Sequence, residues 1–335
     1  MLTDMSKNIY KKILFFITVV ILIVTICLVY LIDFHIYTGP ANNLRIAQIS
    51  DSHFTMNKEN VPYMMFKNTC ELLDDAIMQV NTSGPYDFVV FGGDLVDKAE
   101  RTQFELFIDH ANKLIYPWYV IDGNHDISTD DSFTKSKYIS TFGECNPNMA
   151  NKNIYYAFTP KEGYRVICLD SIIVDDGITK AGISEEQLSW LQKELNTYKE
   201  ETVILCTHIP VEEPYPNPQY PHYKLKNEFE LKRILNSHTN PVIVLQAHYH
   251  AAKIIQHNNL LIISCPSLVT FPNAFRVINI NTIRNKVKVD VFLKETNLKD
   301  VQSQARAGLK NEKMFYGEES DRNNSFEMRR KYFLR

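Results

Sequence analysis

Carboxylate, amide and imidazole side chains gather in five short clusters along the middle of the chain. Each cluster directly follows an apolar run of the kind that predicts a buried strand. Oxygen and imidazole ligands without thiolate suit manganese, iron or zinc at a reactive centre better than a structural zinc ion. The clusters are Asp51-Ser52-His53, Gly92-Gly93-Asp94-Leu95-Val96-Asp97, Asp122-Gly123-Asn124-His125-Asp126, the single His208, and His248-Tyr249-His250.

Each cluster alone has an ordinary structural explanation. A Gly-Asn turn needs no catalytic role, and a lone histidine at a strand end is usually structural. However, five of the ten histidines stand in these clusters, which makes coincidence improbable. If the segment after the first strand is extended, residues two apart point to the same side, so Asp51 and His53 are expected to reach one cation. The glycines before Asp94 allow the sharp turn that brings its carboxylate to the site.

Short apolar runs alternate with helical stretches after residue 43, which predicts an α/β domain whose site lies at the strand ends. A capping box, Ser184 with Gln187, is expected to begin one helix. The predicted strands are Leu44–Ile49, Tyr86–Phe91, Trp118–Ile121, Arg165–Leu169, Thr202–Cys206, Val242–Gln246, Leu260–Ser264 and Phe275–Ile280. The predicted helices are Met64–Val80, Arg101–Leu114, Ser184–Leu195 and Glu228–Leu235.

Two segments without regular periodicity, 127–153 and 209–223, are predicted to be loops that frame a cleft. The second contains five prolines and three tyrosines. Its residues Tyr215, Tyr220 and His222 are candidates for substrate selection, although aromatic side chains in a proline-rich loop more often only pack that loop.

In this order, the motifs Asp-x-His, Gly-Asp-x-x-Asp, Gly-Asn-His-Asp, His and His-x-His resemble the calcineurin-like metallophosphoesterase superfamily over about residues 44–295. The resemblance implies a four-layer α-β-β-α sandwich with two mixed β-sheets. It also implies two divalent or trivalent metal ions, manganese, iron or zinc. By the same resemblance, Asp51, His53 and His250 hold one metal, Asn124, His208 and His248 hold the other, and Asp94 bridges them.

The resemblance further implies hydrolysis of a phosphate ester, with a hydroxide that bridges the two metals as nucleophile. His125 then protonates the leaving oxygen or stabilises the transition state. Asp97 and Asp126 either orient the histidines or simply cap turns, and the sequence leaves both roles open.

Departures from the family pattern restrict the choice among the branches of the family. Ala247 replaces the glycine that usually precedes His-x-His, which affects only the local backbone. Asp97 stands where purple acid phosphatases carry a tyrosine, and Lys98 departs from the Asp-Arg-Gly of phosphoprotein phosphatases. The spacing and the segment 182–191 look most like the bacterial branch that includes cyclic-nucleotide phosphodiesterases.

Residues 13–32 are uncharged, and a helix of that length spans roughly the 30 Å hydrocarbon layer of a membrane. Lys7, Lys11 and Lys12 precede this segment, so the positive-inside rule predicts a cytoplasmic N-terminus and an extracytoplasmic catalytic domain. A cleaved signal peptide is the alternative, but residues 37–41 make a poor cleavage site. The six cysteines show no paired spacing and predict no disulfide framework.

We divide the sequence into a cytoplasmic N-terminus (1–12), a transmembrane signal anchor (13–32), a linker (33–43), a metallophosphoesterase domain (44–295) and a polar tail (296–335). The leading hypothesis is a single-pass membrane phosphoesterase acting on a phosphomonoester or phosphodiester, such as a nucleotide. The alternatives are a hydrolase of lipid or cell-envelope phosphates and a non-catalytic metal-binding surface protein. The net charge of −3 gives no footprint for a nucleic-acid polymer.

Overall fold

The computed structural model describes residues 2–37, 42–130, 132–143, 145–149, 153–216 and 223–331. They form two compact units, Met1–Asn42 with Thr282–Arg284, and Asn43–Asn281 with Asn285–Arg335. The first unit contains helix α1 (Leu2–Tyr37). Within it, Lys11–Val29 has a mean hydropathy of 3.0, and none of this stretch is buried. Its length and composition fit a membrane anchor, and they equally fit a signal sequence.

Strands and helices alternate through the rest of the chain. The helices are α2 (Thr69–Ser83), α3 (Arg101–Ala111), α4 (Lys135–Phe142), α5 (Glu185–Thr197), α6 (Glu228–Ser237), α7 (Lys299–Ala307), α8 (Glu312–Tyr316) and α9 (Glu319–Arg322). The strands are β1 (Asn42–Ile49), β2 (Phe88–Phe91), β3 (Trp118–Val120), β4 (Tyr156–Phe158), β5 (Tyr164–Cys168), β6 (Ile172–Asp175), β7 (Ile178–Ala181), β8 (Thr202–Cys206), β9 (Val242–Gln246), β10 (Lys253–His257), β11 (Leu260–Ser264), β12 (Ala274–Ile283), β13 (Lys286–Glu295) and β14 (Asn323–Arg329).

Two six-stranded sheets contain most of the strands. The first sheet has the order β14-β13-β12-β1-β2-β3, and the second has the order β10-β11-β9-β8-β5-β4. Both are mixed, because β1, β2 and β3 run parallel whereas β13 and β14 are antiparallel, and β11, β9, β8 and β5 run parallel whereas β10 and β4 pair antiparallel at the edges. This confirms the predicted α/β class with two mixed sheets.

Side-chain alternation along the second sheet divides its residues between two hydrophobic clusters. In β8, Ile204 packs in the cluster that contains the apolar residues of the first sheet, whereas Val203 and Leu205 pack with residues of α5 and α6. Strand β9 alternates in the same way, with Ile243 on one side and Val244 on the other. Such strands are apolar on both faces, which explains why their apolar runs were continuous and easy to recognise.

The predicted strands and helices correspond to observed ones, with shifted ends, but the segment 127–153 that was expected to be a loop contains helix α4 and a 3-10 turn at Pro147–Met149. The predicted helix Met64–Val80 begins later, as a short 3-10 turn at Phe66–Asn68 followed by α2. Ser184 caps α5 by accepting a hydrogen bond from the Gln187 amide, as predicted. The return half of the capping box is absent because the Gln187 side chain instead bonds both the amide and the carbonyl of Asp170, at 2.9 and 2.8 Å.

The expected polar tail from residue 296 does not hold for the described residues up to 331. Helices α7 to α9 fold against the domain, and β14 pairs antiparallel with β13 from Phe292↔Asn323 to Lys286↔Arg329. Only one residue of β14, Met328, is buried, so its side chains give no alternating apolar pattern. Backbone hydrogen bonds hold such an edge strand whatever its side chains are, and hydrophobic pattern alone therefore missed it.

Met328→Ala tests whether the C-terminal strand belongs to the folded domain. The Met328 side chain is 2% exposed, so its removal leaves a cavity, and we expect a loss of about 2–5 kcal/mol in the free energy of unfolding. Denaturant titration of the full chain in detergent measures this change. Met78→Ala is the matched control, since Met78 is 54% exposed and should change stability by less than about 0.5 kcal/mol. Equal stability of the two variants would contradict the packing of β14.

Candidate metal centre

The predicted ligand clusters meet where parallel strands of the two sheets end. Asp51 and His53 follow β1, Asp94 follows β2, and Asn124 follows β3. In the second sheet, His208 follows β8, while His248 and His250 follow β9. Because parallel strands bring their carboxyl ends to one edge, residues far apart in sequence become neighbours.

One group of ligand atoms is formed by Asp51, His53 and His250. The His250 Nε2 lies 3.3 Å from Asp51 Oδ1 and 3.4 Å from His53 Nε2. Asp51 and His53 are almost fully buried, whereas His250 is partly exposed. Two ring nitrogens that face each other beside a carboxylate form the kind of donor set that holds a cation.

A second group contains Asp94, His208 and His248. The His208 Nε2 lies 3.3 Å from Asp94 Oδ2 and 3.2 Å from His248 Nδ1. His208 Nδ1 donates to the Gly92 carbonyl at 2.8 Å, which leaves Nε2 directed toward Asp94. His53 Nε2 is also 3.7 Å from Asp94 Oδ2. The Asp94 carboxylate therefore stands between the two groups.

Unpaired buried oxygens show that these residues fit metal ions. In the described part of the chain, both carboxylate oxygens of Asp51 and Oδ1 of Asn124 are buried without a hydrogen-bond partner. A buried polar atom with no partner is costly and calls for an explanation. Oxygen and imidazole donors that converge around it supply one, because they match the preferences of divalent transition metals.

The segment that contains Asp51 and His53 is not extended, although the expectation that both side chains reach one cation assumed that it is. Both residues have positive φ angles, 49° and 40°. Asp94, His248 and His250 also have positive φ, at 48°, 69° and 54°. Non-glycine residues rarely adopt this conformation, and its concentration at five candidate ligands is typical of a functional site held by its surroundings.

Gly123 allows the third cluster to pass directly over Asp94. A Cβ at this position would lie 2.2 Å from both the amide nitrogen and Oδ1 of Asp94. The His125 amide also donates to Asp94 Oδ1 at 2.9 Å. The glycine in Gly-Asn-His-Asp is therefore required by the close approach of two backbone segments.

Burial and the Asp94 carboxylate act in opposite directions on the site histidines. Burial lowers the pKa of His53 and of His248 well below the usual value, which leaves their rings neutral and able to bind metal. Burial also acts to lower the pKa of His208, but the Asp94 carboxylate outweighs it and raises that pKa to about 10. A metal ion bound by this ring would have to displace that proton.

His125 is placed as a proton donor would need to be. Its side chain is exposed on the cleft, and its Nδ1 lies 2.9 Å from the Asp97 carbonyl oxygen. If Nδ1 donates to that carbonyl, Nε2 is the atom able to exchange a proton with a ligand. Burial opposes the charged ring, yet Asp94 and the Asp97 carbonyl raise the pKa of His125 above its usual value.

Asp97 and Asp126, whose roles the sequence left open, make different contacts. Asp126 accepts backbone N–H bonds from Leu95, Val96 and Gly123 at 2.9, 3.1 and 2.9 Å, so it holds the loops together. Burial, followed by the nearby Asp94 charge, raises the pKa of Asp126 to about 7. Asp97 contacts His125 through its backbone carbonyl, while its carboxylate accepts from Lys58 at 2.6 Å.

A family model for calcineurin-like phosphoesterases matches residues 44–252. The chain belongs to this family. It is similar to a probable glycerophosphodiester phosphodiesterase from Arcobacter nitrofigilis, with 30% identity over 49% of this chain and 56% of that protein. The 3',5'-cyclic adenosine monophosphate phosphodiesterase of Escherichia coli is 24% identical over 67% of this chain and 76% of the relative. A dimetal phosphatase from Danio rerio shares the fold, with a TM-score of 0.60, 16% identity, and coverage of 75% of this chain and 96% of that chain.

The family match places the chain among the phosphoesterases, a class of hydrolases that act on phosphate ester bonds. Relatives from Coxiella burnetii and Moraxella catarrhalis are described as probable cyclic nucleotide phosphodiesterases, which supports the predicted bacterial branch. The aligned region spans little more than half of the Arcobacter protein. The family match together with the candidate ligands agrees with a dinuclear metal centre.

The phosphoesterase site opens into a cleft of about 400 Å³. Tyr215 lines it, as predicted, whereas Tyr220 and His222 lie outside the described residues. Sequence reasoning did not single out several other lining residues, which are not members of the predicted ligand set; they are Lys58, Tyr63, Met64, Phe66, Tyr223, Tyr249 and Phe315. Only the position of Lys58 and Phe66 shortly after the first motif could have indicated their role.

A second cavity, of about 420 Å³, lies beside α4 and the β6–β7 hairpin. Its lining includes Lys135 and Asp170 but none of the seven predicted ligands. The Lys135 ammonium already contacts the Asp170 carboxylate and the Ile172 carbonyl, so its charge is neutralised within the protein. Among the described residues, the groups that could hold a metal ion include no residue of this second cavity.

Proposed function

We propose that this phosphoesterase hydrolyses a phosphomonoester or phosphodiester at a dinuclear metal centre. The observation that carries the proposal is the Asp94 carboxylate standing between two converging groups of donor atoms. Two bound ions supply an activated water molecule and positive charge that stabilises the phosphoryl transition state. In this proposal Asp51, His53 and His250 hold one ion, Asn124, His208 and His248 hold the other, and Asp94 bridges them.

The residues around these ligands determine orientation and proton transfer. The Gly92 carbonyl fixes the ring of His208. The Asp97 carbonyl similarly fixes His125, whose Nε2 donates a proton to the leaving oxygen or stabilises the negative charge that develops there. Asp126 supports the reaction indirectly, because it ties the loop of Asn124 to the loop of Asp94.

A nucleotide ester is the first substrate class to examine. Several relatives carry names that refer to cyclic nucleotides, and Tyr215, Tyr223 and Phe315 give the cleft aromatic walls. A flat aromatic group can pack against such side chains. The direct test loads the purified full chain with Mn²⁺, measures metal content, and screens nucleotides, cyclic nucleotides, phospholipids and sugar phosphates for hydrolysis.

About two metal ions per chain together with turnover of one substrate class would support the proposal. Bound metal without hydrolysis of any phosphate ester would favour the non-catalytic alternative. The lipid or cell-envelope hypothesis is supported instead if phospholipids are the preferred class.

We further propose that the domain has the four-layer α-β-β-α arrangement and that α1 anchors it with the catalytic unit outside the cytoplasm. The alternation of β8 and β9 between two clusters supports the layers. The apolar stretch Lys11–Val29 supports the anchor, with lysines on its N-terminal side. Protease digestion of intact spheroplasts should degrade the catalytic unit, whereas protection would place it in the cytoplasm.

A further inference from the structure

Lys58 places a positive charge at the metal cleft, although it belongs to none of the recognised motifs. Its side chain lines the same cleft as Asn124 and His125. The ammonium donates to Asp97 Oδ1 at 2.6 Å and lies 3.5 Å from the centre of the Phe66 ring. The Lys58 side chain is 39% exposed, whereas the Asp97 side chain is 3% exposed. Asp97 and Phe66 thus hold the Lys58 ammonium in place, and it remains accessible from the cleft.

The donor count of the ammonium leaves capacity for a ligand. A lysine has three N–H donors. Among the described residues, Asp97 takes one of them, and the Phe66 ring face attracts the charge from another direction. A third donor therefore remains for a group in the cleft. Because Asp97 and Phe66 already fix the side chain, a ligand would lose little affinity to ordering it.

Lys58 is linked to the side of the cleft where His125 stands. Both residues contact Asp97, Lys58 through the carboxylate and His125 through the backbone carbonyl. In the proposed function, on which this inference rests, His125 faces the leaving oxygen. An anion near Lys58 therefore belongs to the leaving-group part of the substrate.

We propose that Lys58 is a specificity-determining residue that binds an anionic group carried by the leaving portion of the phosphate ester. The preferred substrate then has two separate negative centres, the phosphoryl group at the metal site and a second anion next to Lys58. A partly exposed charge pair of this kind contributes on the order of 1 kcal/mol, equivalent to about fivefold in affinity.

Non-hydrolysable phosphonates test this contact independently of turnover. The probes are the meta and para isomers of carboxybenzylphosphonate, each compared with the neutral carbamoylbenzylphosphonate. Calorimetric titration into the Mn²⁺-loaded full chain in detergent should show about fivefold tighter binding of at least one carboxylate isomer. In Lys58→Met, the preference should fall to within about twofold, while Lys58→Arg should largely retain it.

Lys67→Met is the matched control. Lys67 is a neighbouring surface lysine paired with Glu59 at 2.6 Å, and it does not line the cleft. This variant should keep the full carboxylate preference. If Lys58 only neutralised Asp97, Lys58→Met would weaken both members of each probe pair equally, which would overturn the proposal. An absence of preference in the unmodified chain would overturn it as well.

The outcome is separable from that of the proposed function. A chain that discriminates the phosphonates but hydrolyses no ester keeps the Lys58 site and loses the catalytic proposal. A chain that hydrolyses esters without carboxylate preference keeps the catalytic proposal and loses the Lys58 site.

Discussion

Asn124→Ala is expected to lower kcat for an aryl phosphodiester such as bis(p-nitrophenyl) phosphate by roughly 1000-fold or more. Removal of one preorganised group that stabilises transition-state charge typically costs 10²–10³ in rate, and loss of a metal ligand adds to that cost. The fold should survive, because the buried Oδ1 of Asn124 has no hydrogen bond within the described residues to lose. Steady-state kinetics at saturating Mn²⁺ and a thermal melt measure the two effects.

Asn112→Ala provides the control for this prediction. Asn112 is an exposed asparagine at the end of α3, away from the cleft lining, so its replacement should leave kcat within about twofold. Asp94→Asn should be at least as damaging as Asn124→Ala, since the Asp94 carboxylate lies between both groups of ligands. Activity of Asn124→Ala equal to that of the unmodified chain would reject the proposed site.

Removal of the metal ions is expected to abolish hydrolysis and to lower the melting temperature on the order of 10 °C. Ions present at about 1,000 times their dissociation constant stabilise the folded state by about 4 kcal/mol, and each kcal/mol shifts the melting temperature by roughly 2–4 °C in a domain of this size. The physical source is the set of buried metal-binding atoms that the ions would compensate, including the Asp51 carboxylate oxygens, which accept no hydrogen bond within the described residues. Differential scanning calorimetry before and after EDTA dialysis measures the shift.

Addition of metal after EDTA dialysis provides the control for this prediction. Restored Mn²⁺ should recover both the melting temperature and the activity, whereas Mg²⁺ should recover less, because imidazole ligands suit it poorly. The Asn124→Ala variant should show a smaller EDTA shift than the unmodified chain, since one ligand is already missing. A melting temperature that is unaffected by EDTA in a metal-containing sample would show that these residues do not hold the ions.

The sequence allowed prediction of the elements that carry the site. Runs such as Val242–Gln246 are apolar on both faces, and the bounds of β8, β9 and β11 were predicted without error. The polar residues that follow these strands were recognised as candidate ligands, because a buried strand has no structural need for an imidazole side chain. The grouping of ligands by metal came from the family resemblance rather than from spacing, and it stays a prediction, although the structure brings Asp51, His53 and His250 together and Asp94, His208 and His248 together.

Several elements escaped prediction, and most of them are stabilised by backbone pairing or by partners far away in the sequence. Strand β13 has a clear alternation of buried valines at 287, 289 and 291 that sequence reasoning overlooked. Edge strands β10 and β14 each bury only one residue and carry little apolar pattern. The positive φ angles of Asp51 and His53 also have no sequence signal, because neighbouring loops impose them.

Lining residues from outside the motifs were missed for a related reason. Phe315 reaches the cleft because its carbonyl accepts from the Ala252 amide at 2.8 Å, just after the last ligand pair. Gly317 fits there without a side chain, since its Cβ would lie 2.1 Å from the Ala252 carbonyl oxygen. Such contacts join segments more than sixty residues apart, and local pattern cannot reveal them.

The C-terminal segment also sets the order in which the enzyme can be completed during translation. All seven candidate ligands precede residue 251, but the wall that contains Phe315 and the edge strand β14 are synthesised last. Until this segment is synthesised, the nascent chain has a cleft without its Phe315 wall and a β13 edge without its partner strand, and an unpaired edge favours aggregation.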